Sequence, residues 1–173
     1  GFKKLIEHLI AGKVEYLVPL GTTGESVTLT KDEKAALLDF VIEVVDKRVP
    51  VVAGLGGNNT QDVLRCLSEY DYSGVDAILS VTPYYNKPTQ KGLYAHYKMI
   101  CNESPVPVIL YNVPGRTGCN MTAETTLNLA HDFDNIIGVK EASGNMEQIM
   151  SIIKDKPEGF VVISGDDGIT MPL

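Results

Sequence analysis

The chain has 173 residues, of which 44% are hydrophobic and 21% are charged, a composition typical of one globular domain. Its 15 Lys and Arg residues stand against 22 Asp and Glu residues, which gives a formal net charge of −7. An acidic chain without basic runs argues against a nucleic-acid partner and a polybasic membrane contact, and no apolar run approaches the roughly 18 residues of a membrane span.

Short apolar runs rich in β-branched residues alternate with longer segments of helical periodicity along the chain. Each run has the length of a strand and is followed by a turn signal. The predicted strands are Val14–Leu20, Val49–Ala53, Ala77–Val81, Val106–Leu110, Ile136–Val139 and Phe160–Ile163.

The helical segments carry start signals at their amino ends. Thr30, followed three positions later by Glu33, has the spacing of a capping box. Thr60, Thr89 and Thr122 are candidate N-cap residues. We therefore expect helices to begin directly after these threonines.

Near-continuous apolar strands that alternate with helices predict an α/β fold with a parallel sheet covered by helices. Two architectures fit this pattern, a (β/α)8 TIM barrel and an open doubly wound sheet. No GxGxxG sequence opens the first βα unit, which removes the strongest sign of a dinucleotide-binding fold.

The number of strands bears on how much of a barrel is present. Six strands cannot close an eight-stranded barrel, which needs about 250 residues. We therefore expect residues 1–173 to form a single domain that is an internal fragment of a (β/α)8 barrel. It would hold about strands 2–7 with their helices and lack the first strand and the C-terminal part.

Polar and aromatic residues cluster directly after the predicted strands. In parallel α/β folds the carboxyl ends of the strands lie on one face, and that face holds the active site. Residues far apart in sequence are therefore expected to meet there. The segments are Gly21–Ser26, Thr82–Pro88, Tyr111–Gly118, Lys140–Glu141 and Ser164–Gly168.

Lys140 is the most informative single residue, because it ends an apolar strand. Burial there would lower the pKa of the amine and expose its lone pair as a nucleophile. A neutral amine in a dry pocket is what Schiff-base chemistry with a carbonyl substrate requires. The alternative is a structural lysine that is paired with Glu141 or Asp166, or that extends to solvent.

Other polar residues after the strands offer matching chemistry, although each also has a structural interpretation. Tyr111 could relay protons beside the amine. Thr22 and Thr23 lie in a glycine-flanked turn that suits a carboxylate or a phosphate. Arg116 could bind a carboxylate with two hydrogen bonds, or be an ordinary solvated loop residue.

The cysteines and histidines do not indicate a metal site. The three cysteines form no CxxC pair, and the three histidines are scattered. Asp166, Asp167 and Gly168 match only part of a calcium loop. Without ligand spacing among these residues, we expect no metal. Unpaired thiols are typical of a reducing compartment, so we expect a cytoplasmic location.

Five ordered segments together resemble the dihydrodipicolinate synthase family, a group of pyruvate-dependent class I aldolases and lyases. The resemblance covers essentially the whole chain. The segments are GTTGES (21–26), TPYYNKP (82–88), YNVPGRTG (111–118), GVKEASG (138–144) and SGDD (164–167).

The resemblance implies a (β/α)8 barrel that condenses pyruvate with aspartate-4-semialdehyde to give 4-hydroxy-tetrahydrodipicolinate, on the branch that leads to lysine and diaminopimelate. Lys140 matches the lysine that forms the Schiff base with pyruvate. Tyr111, Thr22 and Tyr85 match the proton relay, in which Tyr85 comes from a neighbouring subunit. Thr23 matches the residue that holds the pyruvate carboxylate.

Further site residues and the partners follow from the same resemblance. Arg116 matches the arginine that binds the carboxyl end of the semialdehyde, and Gly165 matches a glycine whose carbonyl faces the site. The implied assembly is a homotetramer or a homodimer, and the implied chemistry needs no cofactor.

Some family members carry an allosteric lysine site, and part of it is present in this sequence. Ser26, Asn58 and Tyr84 match that site. Lys31 and Lys34 stand where lysine-sensitive members carry histidines. Two added cations near a site for a cationic ligand disfavour binding, so we expect feedback inhibition to be disfavoured.

Two alternative functions stay open. The first is an N-acetylneuraminate lyase-like enzyme or a keto-deoxy sugar acid aldolase, because these relatives share the lysine and the tyrosine. The pair Thr22–Thr23 and Arg116 favour the synthase instead. The second is a non-catalytic barrel that binds a small acid. We also expect the isolated 173-residue polypeptide to be inactive and poorly soluble.

Overall fold

The computed structural model describes residues 1–172, in which helices and strands alternate. Short 3-10 turns lie at Thr22–Gly24, Ser26–Thr28 and Asp167–Ile169. The strands are β1 (Val52–Gly54), β2 (Ala77–Val81), β3 (Val108–Asn112), β4 (Ile136–Glu141) and β5 (Val161–Ser164). The helices are α1 (Phe2–Ala11), α2 (Lys31–Val45), α3 (Thr60–Glu69), α4 (Gln90–Glu103), α5 (Pro114–Thr117), α6 (Ala123–Asp132) and α7 (Met146–Asp155).

The five strands form one sheet in the order β1-β2-β3-β4-β5, and every neighbouring pair is parallel. A doubly wound sheet would reverse its strand order at a switch point. A sheet whose spatial order follows the chain order is the arrangement of a βα barrel. The structure therefore confirms the α/β fold as a partial (β/α)8 barrel and removes the doubly wound alternative.

The first predicted strand, Val14–Leu20, is much shorter than expected. Leu17 alone forms a bridge, to Val51. Pro19 has no N–H to donate to a ladder, and Leu20 has a left-handed backbone with φ 60°. Both features end the extended conformation just before the polar segment begins.

Apolar residues pack in layers on the two faces of the sheet. The inner face holds a small cluster that includes Val52, Leu79, Ile109 and Tyr111. The outer face packs against the helices through a larger cluster that includes Leu93 and other buried side chains. The inner cluster lies directly beneath the polar segments, so it forms the floor of the candidate site.

Most of the predicted helix starts are confirmed. The Thr30 side chain accepts from the Glu33 N–H, and the Glu33 carboxylate accepts from the Thr30 N–H, which is the expected capping box. Thr89 and Thr122 also cap their helices. The prediction for Thr60 is wrong, because Asn59 is the N-cap of α3. Among residues 1–172 no helix combines the length and the apolarity that crossing a membrane requires.

Candidate active site at the carboxyl ends of the strands

Lys140 and Tyr111 lie side by side on neighbouring strands. Their Cα atoms are register partners in the parallel pair β3 and β4. Both side chains lie on the same side of the sheet, where Lys140 Nζ is 4.8 Å from the centre of the Tyr111 ring. Tyr111 is buried in the inner cluster, whereas Lys140 is half-buried. The structure thus brings together the two residues on which the sequence interpretation depends most.

The pKa of Lys140 lies below the usual value of 10.5 because burial disfavours the charged ammonium, while the negative charge of Asp167 acts in the opposite direction. Burial is the larger of the two effects. A lowered pKa increases the fraction of neutral amine near pH 7, and the neutral amine is the nucleophile.

A cavity of about 620 Å³ opens on the Tyr111 side of this pair, and Lys140 is not among the residues that line it. Its lining combines the hydroxyl groups of Thr22, Ser26 and Tyr84 with the phenol of Tyr111 and the guanidinium of Arg116. Hydroxyl, phenol and guanidinium donors in one cavity suit a small substrate that carries carboxylate groups.

The Thr22 segment is held against β1 by close backbone contact. A Cβ atom on Gly54 would come within 2.3 Å of the Leu20 carbonyl oxygen. The Gly54 N–H also donates to the Pro19 carbonyl at 2.8 Å. Thr22 then begins a 3-10 turn whose end is fixed by Glu25, with φ 53°. Only glycine at position 54 allows this approach, so Gly54 sets where Thr22 enters the cavity.

Arg116 is carried by the short helix α5, which directly follows β3. The Arg116 N–H donates to the Val113 carbonyl at 2.9 Å. The Thr117 hydroxyl donates to the Cys119 carbonyl at 2.9 Å, and the Val113 carbonyl lies within hydrogen-bond distance of the same hydroxyl at 3.2 Å. Gly118 ends the helix in a left-handed conformation with φ 69°. The backbone of α5 is thus well fixed, whereas the Arg116 side chain is exposed at the rim of the cavity.

Some predicted site residues lie outside the cavity lining. Thr23 is exposed, and Asn58 offers its backbone carbonyl to the Asn86 side chain at 2.9 Å. Tyr85 is 86% exposed and has a left-handed backbone with φ 70°. No hydrogen bond joins Thr22 to Tyr111 within residues 1–172. The described chain therefore groups Thr22, Tyr111 and Arg116 around the cavity. Lys140 joins this group only through Tyr111, and Tyr85 is left exposed.

Gly165 follows β5 and packs directly against the end of β4. Its N–H donates to the Glu141 carbonyl at 2.8 Å. A Cβ atom at this position would lie 2.6 Å from the Ala142 Cβ atom. Glycine at position 165 therefore allows β4 and β5 to stay close where Lys140 emerges.

Two functional contributions were not predicted from the sequence. Gly54 was not singled out, although a glycine at the carboxyl end of an apolar strand is a recognised sign of close backbone approach. The sequence places Asp167 in the polar segment after the last strand and in a partial calcium loop, but it does not predict that the charge of Asp167 raises the pKa of Lys140. In residues 1–172 no group of three or more His, Cys, Asp or Glu side chains could hold a metal ion.

The sheet and this site define the class of the protein. It is a partial (β/α)8 barrel that carries a partly desolvated lysine beside a tyrosine at the carboxyl ends of its strands. Comparison with known families gives the particular assignment. The chain matches the Dihydrodipicolinate synthetase family over residues 1–173.

Individual relatives agree with the family match. The chain is 56% identical over 170 residues to the 4-hydroxy-tetrahydrodipicolinate synthase of Parabacteroides distasonis, which covers 98% of this chain and 57% of that relative. A crystal structure of dihydrodipicolinate synthase from Bacillus anthracis superposes with a TM-score of 0.95 at 46% identity, covering 99% of this chain and 58% of that one.

A third comparison is with a crystal structure of the Acinetobacter baumannii dihydrodipicolinate synthase in complex with pyruvate. Its TM-score is 0.94 at 42% identity, and the match covers 99% of this chain and 58% of that one. The chain thus spans a little more than half the length of the relatives it matches. It belongs to the dihydrodipicolinate synthase family.

Proposed function

We propose that the protein is a 4-hydroxy-tetrahydrodipicolinate synthase, which condenses pyruvate with aspartate-4-semialdehyde through a Schiff base on Lys140. The observation that carries this proposal is the half-buried amine of Lys140, 4.8 Å from the Tyr111 ring. The pKa of this amine is lowered by burial. Family membership and the relatives' names support the same reaction.

The proposed reaction balances without a metal or an organic cofactor. Lys140 Nζ attacks the keto carbon of pyruvate, and the carbonyl oxygen leaves as water when the imine forms. The imine draws electrons from the methyl group, so a methyl proton is lost and an enamine forms. The enamine carbon attacks the aldehyde carbon of aspartate-4-semialdehyde, and the aldehyde oxygen becomes a hydroxyl. The amine of this substrate then displaces Lys140 and closes the ring.

Each step moves a proton, and hydroxyl groups near Lys140 can carry it. In the proposed site, Tyr111 and Thr22 move protons on the cavity side. Thr23 holds the pyruvate carboxylate, and Arg116 binds the carboxylate of the semialdehyde from the rim. The carbonyl of Gly165 faces the amine.

We infer that Tyr85 serves the site of a neighbouring subunit in a homodimer or homotetramer. Its side chain is 86% exposed although it is aromatic, and its backbone adopts φ 70°, which costs free energy for a residue with a Cβ atom. A contact with a second copy would account for both features. The family's biosynthetic role supports a cytoplasmic location.

The candidate regulatory residues Ser26 and Tyr84 line the same cavity as Thr22. Lys34 also lines it, and its positive charge opposes the binding of free lysine there. We propose that this part of the cavity responds weakly to lysine. Isothermal titration with lysine tests this, and binding in the micromolar range would contradict it.

Borohydride trapping tests the Schiff base directly. The protein at its natural full length is incubated with pyruvate, reduced, digested and analysed by mass spectrometry. We expect a pyruvate-derived adduct on Lys140 and on no other lysine. A folded protein without that adduct would overturn the mechanism, and K140A is the matched control.

The second substrate is tested by product formation. We expect pyruvate to be consumed when aspartate-4-semialdehyde is present and not when a sugar-derived aldehyde replaces it. Turnover with the sugar aldehyde would assign the protein to the aldolase branch instead, while leaving the Schiff base intact.

A further inference from the structure

The sequence neighbours of Tyr111 and Lys140 are also register partners. Side chains alternate between the two faces of a strand, so Asn112 and Glu141 lie on the outer face, toward the helices. Their Cα atoms pair across β3 and β4, one step after Tyr111 and Lys140. Asn112 and Glu141 thus form an outer-face pair.

The carboxylate of Glu141 is completely buried, with 0% of the residue exposed. Its Oε1 accepts from Asn112 Nδ2 at 3.1 Å and from the Ser143 N–H at 2.9 Å. Its Oε2 accepts from Gln148 Nε2 at 3.0 Å and from Asn112 Nδ2 at 3.3 Å. Since every partner is a donor, the arrangement fits the ionised carboxylate.

The Glu141 carboxylate forms no ion pair within residues 1–172, where the ion pairs involve other residues. A buried carboxylate is costly unless hydrogen bonds satisfy it, and an apolar side chain would pack between sheet and helix at lower cost. Packing alone therefore does not account for Glu141. A fully satisfied polar network does fix one relative position of the groups that it joins.

Asn112 extends the network to the segment before α6. It is also completely buried. Its Oδ1 accepts from the Met121 N–H at 3.0 Å, and its Nδ2 also lies 2.8 Å from Asn120 Oδ1. The backbone continues the connection, because the Ala142 N–H donates to the Asn112 carbonyl at 2.8 Å. The ends of β3 and β4 are thus joined by side chains and backbone at the level of the catalytic pair.

We propose that the outer-face pair is a positioning device that holds Lys140 and Tyr111 at the separation needed for Schiff-base formation. The inference rests on the proposed function, because it assigns a role in that reaction to residues that do not touch the substrate. Glu141 acts through β4 on Lys140, and Asn112 acts through β3 on Tyr111.

Positioning and electrostatic roles predict different behaviour. Asp167, not Glu141, is the charged group that acts on the pKa of Lys140. Removal of the Glu141 charge should therefore leave the pH midpoint of adduct formation unchanged and lower the limiting rate at high pH. A displacement of about 1 Å at a reacting group can cost up to about 100-fold in rate.

The test measures the first-order rate constant for formation of the borohydride-trapped adduct. It is measured at saturating pyruvate, over a range of pH, in the protein at its natural full length. The variants are E141Q, which places an amide opposite two donors, and Q148A, which removes one donor to the carboxylate. N135A is the matched control, because Asn135 Nδ2 donates to the Cys101 carbonyl at 2.8 Å at the other end of β4. Thermal unfolding is recorded for each variant.

We expect E141Q to lower the limiting rate by about 10- to 100-fold with an unchanged pH midpoint. We expect Q148A to lower it several-fold, and N135A to lose stability without losing rate. A folded E141Q with the original rate, or with a shifted midpoint and a full rate at high pH, would overturn the proposal.

If E141Q does not fold, Q148A decides, and an unchanged rate in that variant would also overturn the proposal. Failure of the proposed function looks different, because the unsubstituted protein would then form no adduct on Lys140.

Discussion

The reactivity of Lys140 depends on two opposing influences on one amine. Burial lowers its pKa, and the exposed carboxylate of Asp167 raises it. The neutral fraction of the amine at a given pH is therefore set mainly by burial and, to a smaller extent, by the charge of Asp167. A change at Asp167 should therefore alter the pKa of the proposed nucleophile without changing its burial.

Asp167→Asn should shift the rise of adduct formation to lower pH. The variant removes the negative charge of Asp167, which raises the pKa of Lys140, so the neutral amine persists to lower pH. Because Asp167 is exposed and solvent screens it, we expect a shift of less than about one pH unit. The measurement is the pH profile of borohydride trapping with pyruvate.

Asp134→Asn is the control for this variant. Asp134 is also exposed but lies just before β4, at the opposite end of that strand from Lys140. Its profile should match that of the unsubstituted protein. A shift toward higher pH in D167N would contradict the assigned sign.

At the scale of an element, β1 fixes the position of the polar segment Gly21–Ser26 through a close backbone-to-backbone contact. Because Gly54 has no side chain, the backbone of Leu20 and Gly21 can lie against the strand. A Cβ atom on Gly54 would lie less than 3.0 Å from the Gly21 nitrogen. The position of Thr22 is thus a property of the strand beneath it. A substitution in β1 should therefore change the position of Thr22 in the cavity.

Gly54→Ala should destabilise the protein and move Thr22. The added methyl group would overlap the Leu20 carbonyl, and such overpacking typically costs about 1–3 kcal/mol. We expect a lower urea midpoint and weaker pyruvate binding. Gly24→Ala is the matched control, because a Cβ atom there meets nothing within 4 Å. Equal stability of both variants would contradict the close approach.

The packing of α3 on α4 contains a buried imidazole. His96 Nδ1 lies 2.8 Å from the Thr60 hydroxyl, and His96 Nε2 has no hydrogen-bond partner among residues 1–172. Burial lowers the pKa of His96 from 6.5 to about 4. The folded state therefore binds fewer protons than the unfolded state between these values, so stability falls as pH falls through this window.

We expect this effect to remove about 2 kcal/mol between pH 7 and pH 5. His96→Gln should make that part of the pH dependence disappear in urea unfolding experiments. His131→Gln is the control, because His131 is exposed on α6. The same pH dependence in H96Q as in the unsubstituted protein would show that His96 is not responsible.

The presence of most elements was predictable, and their bounds were less so. Apolar runs marked every strand of the sheet, but β3 starts at Val108 rather than Val106. Pro107 has no N–H, so it cannot donate at the start of the ladder. Asn59 and Thr60 are both good N-cap residues in adjacent positions, and local sequence does not decide between them.

The site was predictable where chemistry follows strand order. Lys140 and Tyr111 could be placed together because parallel strands end on one face. The roles of Gly54 and Asp167 could not be predicted, since both depend on distances between segments that are far apart in the chain. Periodicity gives the face of a residue but not the separation between loops.

At the scale of the whole molecule, the sheet has exposed apolar residues along one side. Within residues 1–172, β5 pairs with β4 alone. Val161 on this strand is 53% exposed, and Met150 on α7 is 57% exposed. An unpaired strand edge beside exposed apolar side chains favours association with other chains.

The 173-residue polypeptide on its own should therefore self-associate and form no product. Sedimentation velocity and the condensation assay measure both properties, and the protein at its natural full length is the comparison under the same conditions. A soluble monomer of the polypeptide with full turnover would contradict this expectation.

The in-register pairing of Tyr111-Asn112 with Lys140-Glu141 has a consequence for protein engineering. Each strand presents a side chain of the proposed active site on one face and a hydrogen-bonded polar side chain on the other. A designer who transplants this chemistry into another barrel should therefore move two dipeptides rather than two single residues. The recipient scaffold also needs a helix that offers an amide where Gln148 stands.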